Sequence, residues 1–156
     1  MLPPAFADVE GSLWLLLLAA IRPGAAFVAA PLFGMAAVPV QLRFIIAVAI
    51  GIAGLNAQPF ALPPEGIASF SGFALVIGEV MAGAAMGFAV QIGFSAAMLA
   101  GELVGNAMGL GFAGMVDPQS GSPTPALAQF LSILGTFLFL AIGGHLTLAA
   151  ILVDSY

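Results

Sequence analysis

Ser12 to Ala30 reads SLWLLLLAAIRPGAAFVAA. A helix on the surface of a soluble protein alternates an apolar stripe with a polar one, but Leu13 to Ile21 offers no polar stripe at any rotation. The medium around such a helix is lipid or other helices, and the length is close to the roughly 20 residues that cross a bilayer. Arg22, Pro23 and Gly24 then place a charge, a residue without an N–H and a residue without a side chain in succession. This predicts a kink or break in the last third of the segment.

Three further apolar segments follow, separated by proline-rich or polar punctuation. PLFGMAAVP, Pro31 to Pro39, reads as a turn, and the second segment runs over 40–56. QPFALPPEG, Gln58 to Gly66, holds three prolines that cannot donate to a helix ladder and is the clearest loop. The third segment covers 69–108, longer than one plain crossing, so a tilt or a break near Gln91 to Gly93 is expected. Gly and Pro then become frequent, which predicts an irregular loop over 109–125 before a fourth segment at 126–152. Alternation of period two is not sustained, so a transmembrane β-barrel is disfavoured. The fold class is all-α membrane protein, read as one helical domain over 1–156.

Seven acidic and two basic residues in 156 cannot cover a water-facing surface. With Arg22 and Arg43 as the only cations there is no basic patch, which excludes nucleic-acid binding. The absence of cysteine excludes disulfides, thiolate metal sites and Cys nucleophiles. Asp8 and Glu10 stand where a secretory signal would carry Lys or Arg, so the first apolar block reads as retained. Both arginines flank the first turn, and the positive-inside rule places Pro31 to Pro39 in the cytoplasm. An apolar segment running directly into Asp154, Ser155 and Tyr156 suggests a fragment of a longer protein.

Gly101, Gly105 and Gly109 are spaced at four, and Gly83 with Gly87 repeats the spacing. In a helix such glycines share one face and let another backbone approach closely. Packing within one bundle and packing against another subunit both fit. Ionisable groups inside apolar segments are the next signal, since each costs about 2.5 to 3.5 kcal/mol at a helix centre. Arg22, Glu79, Glu102 and His145 qualify. One reading is a proton or ion path through Glu79, Glu102 and His145. The other is structural: Arg22 pairs with an acid, the glutamates bond helix ends or face an aqueous vestibule, and His145 satisfies a carbonyl. The position of Glu102 just before a loop favours the second.

No HxxxH or ExxH pair, GxSxG or Walker loop exists, and there is no lysine, so neither an enzyme nor a cofactor or metal site is expected. GLGFAGMVD, Gly109 to Asp117, has glycines like a phosphate loop without its basic residue. Irregular backbone at membrane depth must be buried in protein or line an aqueous cavity. Tipped with Phe112 and Met115, it suits a gate that closes by dewetting and packing.

The run GELVGNAMGLGFAGMVDP at 101–118, PALAQF at 125–130, FLFLAIGGHL at 137–146 and LVDSY at 152–156 resembles the FliR family of flagellar export-gate proteins. RPGAAF, APLFG and VPVQLR, between Arg22 and Arg43, look like the opening of the same family. The resemblance implies a non-catalytic core subunit of the flagellar type III protein export gate, in the bacterial inner membrane at the basal body. Its implied partners are FliP-like, FliQ-like and FlhB-like membrane subunits and the exported unfolded flagellar proteins. The implied fold is that of kinked helical hairpins similar to a FliP protomer, with the later FliQ-like helices missing from these residues. The family's loop plugs the closed pore, a role that falls by motif on Phe112 and Met115 with Gly109, Gly111 and Gly114 as hinges. The alternative is a proton- or ion-coupled secondary transporter subunit.

Overall fold

The computed structural model describes residues 4–31, 38–57, 62–63, 65–109 and 126–156, and for 4–8 the backbone alone. Among the described residues five helices follow in order: α1 (Pro4–Ala29), α2 (Val40–Ala57), α3 (Phe70–Ala107), α4 (Ala126–Ala141) and α5 (Gly144–Asp154). No strand occurs among the described residues. Among the described residues three helical stretches are long and apolar enough to cross a membrane, Val9–Ala29, Val40–Ala57 and Phe70–Ala107, and α4 with α5 would make a fourth if taken as one broken span. The chain is an all-α membrane protein.

The helix ends follow from local chemistry. Pro39 opens α2, its carbonyl accepting from the Leu42 and Arg43 amides at 3.0 and 3.3 Å. Ser69 caps α3: its Oγ accepts from the Gly72 amide at 3.1 Å, satisfying one of the donors that a first turn leaves unpaired. At the other end of α3, Gly109 adopts φ +73 and its amide donates to the Asn106 carbonyl at 3.1 Å. Only a residue without Cβ takes that left-handed conformation at little cost, so the helix stops there.

Three expectations change. No break occurs at Pro23, which lies inside the continuous α1. No break occurs at Gln91 to Gly93 either, because α3 runs through 38 residues. The apolar stretch 126–152 is instead divided at Gly143, where φ is +73 and the amide bonds back to the Leu140 carbonyl at 3.1 Å. Apolarity marks a span but not its interruptions. A glycine in a helical run is tolerated at some positions and terminates the helix at others.

Where hydropathy marks one helical domain, the chain falls into two compact units. The first comprises Met1–Ala89 with Leu146–Tyr156, the second Val90–His145. In the first, α1 packs on α2, and the buried positions of α1 and the residue after it are mostly small: Ala19, Ala20, Ala26 and Ala30 beside Leu18, Pro23 and Phe27. In the second, Phe94 meets Phe139 edge to face with ring centroids 5.7 Å apart. Many large apolar side chains point outward, among them Val28, Phe70, Ile142 and Phe137. Outward-facing apolar side chains at this density suit contact with lipid or with neighbouring helices.

Candidate functional site

The buried residues of α3 are Gly72, Glu79, Gly83, Gly87, Phe94, Gly101 and Gly105, separated by four or seven positions. This is one narrow stripe of a 3.6-residue helix, and most of it is glycine. In the first unit Gly83 lies against the Arg22 carbonyl of α1. A Cβ there would sit 2.9 Å from the Arg22 carbonyl carbon and 3.0 Å from the Ala25 Cβ. Gly87 abuts the Ala26 carbonyl, and its Cβ would come within 2.8 Å of the Ala29 Cβ. A Cβ at Gly51 of α2 would likewise meet the carbonyl carbon and oxygen of Ala19, both at 2.8 Å. In the second unit Gly101 presses on the α4 backbone, where its Cβ would lie 2.5 Å from the Ala128 Cα. Gly105 is looser, with the Leu127 Cβ at 3.9 Å. These glycines take up packing within the chain, where van der Waals contact substitutes for a hydrophobic drive that lipid cannot supply.

One turn before Gly83 on the same stripe stands Glu79, 6% exposed. The Arg22 guanidinium donates to it twice, Nε to Oε2 and Nη2 to Oε1, both at 2.7 Å. This bidentate fork is the strongest ion-pair geometry available to side chains. The remaining Arg22 nitrogen, Nη1, donates to the Ser155 carbonyl and, at 2.9 Å, to the Ser155 Oγ. Ser155 in turn donates to the Leu152 carbonyl at 2.8 Å, which fixes it on the end of α5. Above the guanidinium lies the Tyr156 ring, 4.4 Å from Cζ to centroid, a distance at which a cation is attracted to the ring face. Gly54 makes room for that ring, since a Cβ there would fall 2.5 Å from Tyr156 Cδ2. The Tyr156 hydroxyl donates to the Ala19 carbonyl. Burial, and then the Glu79 carboxylate, push the Tyr156 phenol up to about 12 against an opposing pull from Arg22, so at neutral pH it remains a donor.

The structure thus brings Arg22 and Glu79 together as a pair. Since Arg22 is turned onto Glu79, it is not a loop charge. Of the two arginines counted for orientation only Arg43 flanks Pro31 to Pro39, its Nη2 donating to the Val38 carbonyl at 3.0 Å. Glu102 is half-buried near the end of α3. His145 is half-buried in the first turn of α5, and its Nδ1 is buried without a hydrogen-bond partner. No metal-binding group of three His, Cys, Asp or Glu side chains occurs among the described residues. Gly109 is the last residue described before the Gly/Phe loop, and Gly111, Phe112, Gly114 and Met115 lie outside the described residues. Sequence reasoning missed Ser155 and Tyr156. The signal that could have found them is Pro23, whose missing N–H leaves the Ala19 carbonyl in need of an outside donor.

Comparison with known proteins follows the same chain. The flagellar biosynthetic protein FliR of Escherichia coli (strain K12) is 38% identical over 129 residues, 81% of this chain and 48% of that relative. The flagellar biosynthetic protein FliR of Pectobacterium carotovorum subsp. carotovorum is 35% identical over 127 residues, 81% of this chain and 48% of its own length. The chain therefore spans about half the length of these curated relatives. The model of one family, described as bacterial export proteins, family 1, matches residues 13–156. Covering all but the first turns of α1, that match carries the conclusion that this chain belongs to the bacterial export proteins, family 1.

Proposed function

We propose that this chain is the FliP-like part of a core subunit of the flagellar type III protein export gate, and that its role is structural rather than catalytic. The observation that carries the reading is the family match over residues 13–156. The relatives' shared description as flagellar biosynthetic proteins supports the flagellar assignment. On this reading the subunit lies in the bacterial inner membrane at the basal body. FliP-like, FliQ-like and FlhB-like subunits are its neighbours, unfolded flagellar proteins its cargo, and FliQ-like helices belong to residues beyond these.

The arrangement of the helices suits such a part. Glycines fill the helix contacts inside each unit, leaving Phe70, Phe88, Phe130 and Phe137 outward for lipid or other subunits. Gly109 ends α3 in a left-handed conformation, which sends the backbone out of the helix where the Gly/Phe loop begins. Phe112, with Met115 beside it, plugs the closed pore, and Gly109, Gly111 and Gly114 let the loop swing. The competing role, proton relay through Glu79, is disfavoured by the two Arg22 donors that hold both its oxygens. The test is Phe112→Ala in the assembled gate with membrane conductance as the readout. A leak to small ions is expected, and conductance equal to the parent's refutes the plug.

A further inference from the structure

We infer that Tyr156 locks a proline hinge in α1. Pro23 stands inside α1 and cannot donate to the carbonyl four residues back, that of Ala19. Ala19 is 0% exposed, so water does not take the place of the missing donor. The hydroxyl of Tyr156, 137 positions further along the chain, donates to that carbonyl. The donor is built in on every side. Gly54 yields the space its ring fills, the Arg22 guanidinium lies 4.4 Å beneath that ring, and Ser155 holds the third guanidinium nitrogen. Gly51 packs closely against the same Ala19 carbonyl.

A proline within a helix is a bending point because one rung of the ladder is gone and its ring crowds the preceding turn. Here the rung is replaced by a side chain from the residues after α5. The bend of α1 at Pro23 is thereby coupled to the position of Ser155 and Tyr156. While they sit on the Arg22–Pro23 turn, the hinge is held; when they leave, the Ala19 carbonyl loses its partner and α1 is free to bend. The coupling belongs to the Ala19, Pro23 and Tyr156 triangle and does not depend on the plug or on what passes through a gate.

The experiment is a double-mutant cycle on this chain in lipid nanodiscs. Leu13 and Val28, both exposed on α1 and about 22 Å apart at 1.5 Å per residue, are replaced by cysteine for spin labels, these 156 residues having none of their own. Pulsed dipolar spectroscopy then reads the distance distribution. Tyr156→Phe is expected to shift the ratio of straight to bent α1 by roughly five- to a hundredfold, the size that follows when a buried acceptor loses its partner. With Pro23→Ala the amide at 23 can reach the Ala19 carbonyl, and Tyr156→Phe should then change the distribution little. An unchanged distribution in Tyr156→Phe overturns the lock. So does equal broadening in the Pro23 and Ala backgrounds. Should Tyr156→Phe fail to accumulate in membranes, restored accumulation on adding Pro23→Ala supports the lock, and no restoration overturns it.

Discussion

Replacing Arg22 by Met removes both 2.7 Å donors from Glu79, which is 6% exposed, and leaves a carboxylate in an apolar surround. Breaking a buried pair from one side costs about 3–5 kcal/mol, because the surviving charge has lost its compensation. Glu79→Met leaves the guanidinium its contacts with Ser155 and the Tyr156 ring, so its loss belongs at the lower end of that range. The double variant Arg22→Met/Glu79→Met strands no charge. Apolar replacement of a whole buried pair is commonly neutral or better, so the double should recover most of what either single loses. The coupling expected between the two sites is then most of the sum of the two single losses, about 5 kcal/mol or more, above the usual range of about 0.5–3 kcal/mol for residues in contact. The assay is reversible SDS titration of the purified chain in mixed micelles, followed by helicity, for parent, both singles and the double. If the two single losses simply add, with coupling under about 0.5 kcal/mol, the pair is a surface-like contact and the argument from burial fails.

Gly83→Leu and Gly87→Leu should lower the SDS midpoint strongly, because their side chains would enter the backbone of α1. Gly78→Leu and Gly93→Leu, whose Cβ positions meet nothing within 4 Å, should behave as the parent in the same titration. Gly143→Ala forces a Cβ into φ +73 and should cost about 1–2 kcal/mol, read as a lower melting temperature in detergent. Ser69→Ala removes the Oγ that accepts from the Gly72 amide, with an expected loss of about 1 kcal/mol and faster amide exchange confined to the first turn of α3.

Hydropathy alone located the helical stretches, since a run such as Leu13 to Ile21 has no competing structure in lipid. It could not separate a proline that breaks a helix from one that is bridged. That distinction rests on Tyr156, 133 residues beyond Pro23 in sequence; Pro23 signals that the Ala19 carbonyl needs a donor but not which residue supplies it. Glycine spacing identified the Gly83 and Gly87 face, but not which helix faces it, because α1 and α2 are both lined with alanine and glycine. Arg22 and Glu79 were each legible as costly, and cost alone names no partner. The same limit applied to orientation, where Arg22 looked like a flanking charge until its guanidinium was placed on α3. The motif that assigns Phe112 and Met115 is the most specific in the chain, while its role rests on the family rather than on physical chemistry.

The glycine seam and the ion pair are one device. Glu79, Gly83 and Gly87 are successive turns of a single α3 stripe, and Arg22 meets that stripe twice. Its carbonyl lies under Gly83 and its guanidinium lies on Glu79. A side chain at position 83 would push the helices apart and draw the guanidinium away from the carboxylate. A bidentate fork tolerates little of that, since hydrogen bonds weaken steeply with distance and angle. Close packing is thus what allows a buried charge pair to form with full geometry, and the pair in turn selects the register at which glycine meets carbonyl. An apolar seam of small residues has near-equivalent registers four residues apart; a single Arg–Glu fork removes that degeneracy. On this reasoning Arg22→Met/Glu79→Met recovers stability yet samples more than one α1–α3 register. Disulfide trapping between cysteines placed at Ala29, whose Cβ faces Gly87, and along α3 would report it as several crosslinks, whereas the parent gives one, and a single crosslink in the double variant would refute the register argument.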